Sequence, residues 1–177
     1  LAWLAERQPR PDFVVASGSL PPGVPVDFYA RLAQLVRRIG SRFVLDTSGS
    51  MATEDVAPNR FFLARQALGS LVSRLSGDRF GLVAFEGEAY PLVPLTLDAD
   101  ALGLFLDTLE PGVVPSPGSS LGAGLARGLS LFVDQERRNK VMVLVSDGED
   151  LEGQIEDAAA KAKEAGVVVH TVGVGTE

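Results

Sequence analysis

Short apolar runs alternate with amphipathic stretches of helical length along this chain, and that alternation restricts the fold more than any other feature. The apolar runs are Phe13–Ala16, Phe43–Leu45, Phe80–Phe85, Ala89–Leu95, Val141–Val145 and Val167–Val172. Between them lie stretches with helical periodicity: Asp27–Ile39, Arg60–Leu75, Ala99–Leu109, Leu121–Val133 and Gln154–Glu164. In Asp27–Ile39 the residues Phe28, Leu32, Leu35, Val36 and Ile39 share one face, and Gly40 supplies a stop. A strand such as Val141–Val145, apolar at every position, is buried on both faces, which is how parallel strands read. Glu86-Gly87-Glu88 makes a hairpin of Phe80–Phe85 and Ala89–Leu95, and Pro91 and Pro94 confine the second strand to an edge. The expected architecture is therefore α/β: a mostly parallel sheet with one antiparallel edge strand and helices on both faces. With 177 residues the chain is long enough for a single domain, 1–177, with a sizeable core.

At the end of one of these strands the sequence reads FVLDTSGSM (Phe43–Met51). An apolar run stops at Asp46, and Ser48 and Ser50 follow at alternate positions. Ligands of open α/β sheets bind beyond the carboxyl ends of the strands, where strand order reverses. A second acid, Asp147, ends the run VLVSDGED. Neighbouring strands lie about 4.8 Å apart, and carboxylates that close repel unless a cation lies between them. Ser119, in PGSSLG, opens the helix Leu121–Val133 and offers another hydroxyl. The set Asp46, Ser48, Ser50, Ser119 and Asp147 is all oxygen, which suits Mg²⁺, Mn²⁺ or Ca²⁺. Helix capping by the serines and a turn at Asp147 would use the same residue types; the matching placement at successive strand ends favours the metal.

These residues resemble the metal-ion-dependent adhesion site of von Willebrand factor type A domains: D-x-S-x-S on a strand end, a hydroxyl in a Gly-containing loop, then S-D-G. Over about 43–177 the segments ATEDVAPNR, FGLVAFEGEAYPLVPLT, SDGEDLEG and VVVHTVGVGTE are most similar to bacterial Bat-type, aerotolerance-associated members. The resemblance implies a three-layer Rossmann-like fold with sheet order 3-2-1-4-5-6. It also implies metal ligands at Asp46, Ser48, Ser50, Ser119 and Asp147, and an acidic side chain of a partner protein completing the coordination. Ser119 stands where the family usually has Thr, so the methyl that stiffens that rotamer is missing. The resembled bacterial family is membrane-anchored, although the sequence itself sets no compartment.

The front of the chain is similar to another family. PDFVVASGSLPPGVPVDFYARLAQLVRRIGSRFVLDTSG resembles the middle of the phosphofructokinase-B branch of ribokinase-like sugar kinases, over about 1–49. The Gly-Ala-Gly-Asp motif that supplies that family's anion hole and base does not occur. Only a strand, helix and strand are implied, with no catalytic residue. Both families write V-L-D-x-S-G at a parallel strand end, so the join falls near Thr47–Ser50 and the chain reads as a chimera, natural or engineered. The start at Leu1 and the stop after an apolar strand fit an excised or assembled piece. Because Phe43–Asp46 is already flanked on both sides in a type A sheet, Phe13–Ala16 is expected to fill the edge beyond Val167–Val172 in parallel. Asp27–Ile39 would then cross back and cover that face.

Other signals carry less. Net charge is −7 with no basic stripe, which argues against nucleic acid and anionic membrane as partners. There is no Cys and no apolar run near the roughly 20 residues of a membrane span. The glycines Gly122, Gly124 and Gly128 lack dinucleotide-motif context and read as close helix packing. His170 reads as a packed histidine, and Ser17–Pro25 as a rigid turn rather than a phosphate loop. Glu149 and Asp150 read as solvated charges at a helix start. Leu1, Trp3 and Leu4 suggest a short amphipathic lead-in helix. The expected function is a divalent-metal-dependent protein-binding module without catalytic activity. The alternatives are a designed fold with a vestigial metal site, or a non-catalytic kinase remnant that binds phosphate.

Overall fold

The computed structural model describes residues 13–17, 40–74, 78–132 and 140–176. In chain order its elements are β1 (Phe13–Ser17), β2 (Gly40–Asp46), a 3-10 turn (Gly49–Ala52), α1 (Arg60–Arg74), β3 (Phe80–Phe85), β4 (Ala89–Thr96), α2 (Ala99–Thr108), α3 (Leu121–Ser130), β5 (Lys140–Ser146), α4 (Ile155–Glu164) and β6 (Val167–Gly173). The expected helix Asp27–Ile39 and the lead-in around Trp3 lie outside the described residues. Local chemistry fixes the helix ends. Asp98 caps α2 by accepting from Ala101 N at 2.8 Å, and Ser120 caps α3 by accepting from Ala123 N at 3.2 Å. In α4, Glu156 and Asp157 occupy the first turn and Lys161 and Lys163 the last, matching the helix dipole. Gly166, at φ +66°, then turns the chain into β6.

The strands form one sheet in the order β1-β6-β5-β2-β3-β4. All neighbouring pairs are parallel except β3 and β4, which form the antiparallel hairpin at one edge. Pro91 and Pro94 lie on that edge strand, where a missing N–H costs no ladder bond on the open side. At the other edge β1 runs parallel to β6, with Phe13 opposite Val169 and Ser17 opposite Gly173. This is the position expected for the front strand.

Alternate residues of the central strands feed two cores, which is why Phe43–Leu45 of β2 and Val141–Val145 of β5 are apolar at every position. Phe43 and Leu45 of β2, with Val141, Val143 and Val145 of β5, pack under α1 and α2 against Phe61, Leu68, Leu102 and Leu106. Val44 of β2, with Met142 and Leu144 of β5, packs under α3 and α4 against Leu125, Phe132, Ala158 and Ala162. The glycines of α3 set its distance from the sheet. A Cβ on Gly124 would lie 2.8 Å from the Phe85 ring, and one on Gly128 would lie 2.9 Å from Val44. Close packing, not nucleotide binding, accounts for that glycine pattern. The result is a three-layer α/β sandwich whose β2, β3 and β5 all end at the same side, where the candidate residues lie.

Candidate metal centre

Strands β2 and β5 are neighbours, with Leu45 opposite Val145, so their next residues meet at the top of the sheet. Asp46 follows Leu45 and is fully buried. Its Oδ1 accepts from the Ser48 backbone N–H at 3.0 Å and from Ser48 Oγ at 2.6 Å. Its Oδ2 accepts from Ser146 Oγ at 2.6 Å. Ser48 Oγ lies 3.1 Å from Ser50 Oγ. The 3-10 turn after Ser48 folds both hydroxyls back over the strand end, with Met51 buried beneath as its anchor. Burial pushes the Asp46 carboxyl above its ordinary range, the Ser146 and Ser48 hydrogen bonds oppose this, and the charge of Asp147 adds to it.

The second acid occupies different surroundings from those expected. The residue that meets Asp46 from β5 is Ser146, and Asp147 lies one step further out. Asp147 Oδ2 accepts from Arg60 Nη1 at 2.9 Å, and its Oδ1 accepts from Glu149 N at 3.2 Å. The repulsion between the acids is therefore partly offset by a guanidinium at the head of α1. Arg60 also grips Asp55 through Nε and Nη2 at 2.9 and 3.0 Å. That pairing holds Asp55 well below the usual carboxylate range and raises Arg60.

Ser119 is buried and donates to the Glu149 carbonyl at 2.6 Å, while its own carbonyl accepts from Leu151 N at 2.9 Å. The loop before α3 is thereby fastened to the segment after β5. Asp150 Oδ1 accepts from Leu121 N at 3.3 Å at the start of α3, so it is structural rather than solvated, whereas the Glu149 side chain is exposed. Below these loops Glu86 is buried. Its Oε1 accepts from Thr47 Oγ1 at 3.0 Å and from Val114 N at 3.1 Å, and its carbonyl accepts from Ser120 N at 2.8 Å.

Asp46, Ser48 and Ser50 are thus in direct hydrogen-bonded contact. Asp147 adjoins them through the strand end and its field on Asp46, and Ser119 adjoins them through the loop at Glu149. Sequence reading missed Ser146, Thr47, Glu86, Asp55 and Arg60. Of these only Ser146 had a local signal, as the residue before Asp147 on a strand end. No group of three or more His, Asp or Glu side chains converges among the described residues. A cation would rest on two carboxylates and several hydroxyls, and the residues fit that role. Asp46 is a buried carboxylate whose donors are all neutral, with oxygen ligands beside it and no Lys or Arg contact among the described residues. Such a donor set suits a hard divalent ion. His170 on β6 is half-buried, with Nδ1 unpartnered among the described residues, and burial pushes its imidazole down. No acid or nucleophile among the described residues is hydrogen-bonded to it. Among the described residues no helix is long and apolar enough to cross a membrane.

The von Willebrand factor type A domain family matches residues 42–177. A UPF0353 protein of Mycolicibacterium vanbaalenii is 32% identical over 145 residues, covering 75% of this chain and 43% of that protein. The chain thus spans less than half the length of the curated relatives it matches first. BatB of Bacteroides thetaiotaomicron, a conserved hypothetical protein, superposes with a TM-score of 0.74 at 31% identity, covering 78% of this chain and 67% of that one. An aerotolerance-related membrane protein of Bacteroides fragilis gives 0.73 at 30%, covering 76% and 67%. Separately, ATP-dependent 6-phosphofructokinase isozyme 2 of Mycobacterium tuberculosis is 62% identical over 37 residues, 21% of this chain and 11% of that enzyme.

Proposed function

The chain belongs to the von Willebrand factor type A domain family, and we propose that it acts as a divalent-cation-dependent protein-binding module. The observation that carries this reading is Asp46: a fully buried carboxylate held by neutral donors, with the Ser48 and Ser50 hydroxyls folded over it. Asp46, Ser48 and Ser50 would hold Mg²⁺, Mn²⁺ or Ca²⁺, with Ser119 and Asp147 contributing directly or through water. An acidic side chain of a partner protein would complete the coordination. The surrounding loops support a metal-dependent contact. They expose Glu54, Glu88, Glu110, Glu149 and Glu152, while the one base in loops 47–59, 110–120 and 147–154 or at the head of α1 is Arg60. Such a face repels a carboxylate until a divalent cation reverses the local field. We assign no catalysis to the chain, because phosphoryl transfer needs positioned phosphates, metal and base and the kinase family's Gly-Ala-Gly-Asp segment is absent from the sequence.

Thermal melting tests the module directly. A cation that binds only the folded state at a hundred times its Kd adds about 2.7 kcal/mol, which raises Tm by roughly 5 °C or more in a chain of this size. Mg²⁺, Mn²⁺ or Ca²⁺ is expected to produce that rise and EDTA to cancel it. Asp46→Ala is expected to fold and to show no rise. A rise of the same size in Asp46→Ala would sink the ligand assignment.

The kinase match favours a second statement, about origin. We read 1–49 as a strand-helix-strand segment of sugar-kinase descent, fused to a type A core over 43–177 through the shared strand β2, in one domain. The 62% identity over 37 residues supports it. On this reading a designed or fortuitous fusion, with a vestigial metal site and no physiological partner, is the alternative to a working adhesion module. A kinase remnant that retains phosphate binding is the other alternative. Retained cation affinity together with carboxylate-dependent capture of a partner would separate the first reading from both.

A further inference from the structure

Arg60 makes three contacts at once. Nε and Nη2 take the two oxygens of Asp55, and Nη1 reaches Asp147 Oδ2 at 2.9 Å. The Asp147 side chain is 1% exposed, so this contact is sheltered from solvent screening. With the Glu149 N–H on its other oxygen, both oxygens of the second acid are occupied by protein donors, and one of those donors is cationic.

We propose that Arg60 is the internal counter-cation of the metal centre: it neutralises Asp147 while the cation is absent, and it lowers cation affinity by holding a fixed positive charge on that carboxylate. The inference rests on the metal-centre reading above and adds to it the residue that sets how tightly the ion is held. Two observations make the charge a fixture rather than a swinging side chain. The first is the forked grip on Asp55, which is itself held by Thr176 through its N–H at 2.8 Å and its Oγ1 at 2.9 Å. The second is the close approach of the chain after β6. Gly175 sits at φ +131°, and a Cβ there would come within 3.1 Å of Arg60 Nε. The Arg60 backbone N–H is tied as well, donating to the Thr53 carbonyl at 3.1 Å. Arg60 therefore cannot move away cheaply when a cation arrives. Two like-signed charges then share one carboxylate in a sheltered site, where their repulsion is only weakly screened. Without a cation the same charge offsets the repulsion between Asp46 and Asp147 and keeps the site formed.

Isothermal titration of Mn²⁺ into the whole chain at fixed ionic strength, paired with melting in EDTA, tests this. Arg60→Gln is expected to bind Mn²⁺ about tenfold more tightly, to melt lower in EDTA, and so to gain more Tm from the ion than the parent does. Arg60→Lys keeps the charge and is expected to stay within about threefold of the parent. Asp55→Asn removes the carboxylate that shares Arg60 and is expected to bind Mn²⁺ more weakly. A merely structural pair would move Arg60→Gln and Asp55→Asn in the same direction, toward weaker binding. Should Arg60→Gln bind no better than the parent, or Asp55→Asn bind better, the inference is overturned; if Arg60→Gln does not fold, the Lys and Asn variants still decide it. A parent that takes up no Mn²⁺ at all overturns the metal-centre reading and this one with it. Uptake by the parent without the gain overturns this one alone.

Discussion

Glu86 shows what single residues do beneath the site. Its buried carboxylate takes the Thr47 hydroxyl and the Val114 N–H, and its main chain receives Ser120 N–H, so one side chain joins the loop after β2 to the loop before α3. Truncation would leave the buried Val114 N–H without its acceptor, at about 1–3 kcal/mol, and leave the Thr47 hydroxyl only the longer 3.3 Å bond to the Phe85 carbonyl. Glu86→Ala is therefore expected to lower stability by roughly 2 kcal/mol, and to weaken cation binding by loosening the Thr47 loop that carries Ser48 and Ser50. Urea melts and Mn²⁺ titration read both, and an unchanged urea midpoint would contradict it. At this scale the clustering of Asp46, Ser48 and Ser50, the proposed ligands, was legible in the sequence because they lie on one turn, where spacing alone brings them together. Ser119 and Asp147 were legible as hydroxyl and acid at other strand and helix ends. Glu86 and Arg60 were not, because each acts on a residue brought close only by the tertiary fold: Thr47 lies 39 positions from Glu86 and Asp147 lies 87 from Arg60.

Among the elements, the helices divide their glycines into two kinds. Gly124 in α3 faces Phe85 and Val44, where a Cβ would overlap at 2.8 and 3.1 Å, whereas Gly69 in α1 and Gly103 in α2 have nothing within 4 Å. Gly124→Ala is expected to cost about 1–3 kcal/mol through overpacking, while Gly69→Ala or Gly103→Ala gains about 0.4–1 kcal/mol through propensity and a stiffer unfolded chain. Matched chemical denaturation of the three variants reads the contrast, and equal effects would contradict the packing. Strand β6 carries a pH dependence. Burial lowers the His170 imidazole below its ordinary 6.5, so the unfolded chain takes up the proton first. Stability from this group is complete above about pH 6.5 and declines as pH falls toward the folded-state value. His170→Gln is expected to flatten that decline between neutral and mildly acidic pH, as followed by urea midpoints. An unchanged slope would mean that His170 does not titrate differently on folding. The helices and strands themselves were largely readable from periodicity. The 3-10 turn Gly49–Ala52 was not, since it is held by the Met51 and Thr53 N–H groups on the Ser48 and Ser50 carbonyls and by the buried Met51, and not by any repeat.

For the whole molecule, the front strand completes a sheet that would otherwise end at β6. From Phe13 opposite Val169 to Ser17 opposite Gly173, β1 covers the backbone groups of that edge. The topology was deducible because β2 already has two neighbours, leaving the β6 side as the open position for a parallel strand. What 18–39 contributes lies outside the described residues. Deleting 1–39 is expected to lower Tm by about 5 °C or more and to promote association through the bared edge, as read by melting and light scattering. A shortened chain that melts with the parent and stays monomeric would make the front segment an appendage. Whether the molecule is a cation-dependent module at all is decided most directly by diffraction from crystals grown with Mn²⁺, recorded near the manganese edge. An anomalous peak is predicted within coordination distance of Asp46, Ser48 and Ser50, with Ser119 and Asp147 reached directly or through water. A peak elsewhere, or none at this strand end with Mn²⁺ in excess, would contradict it.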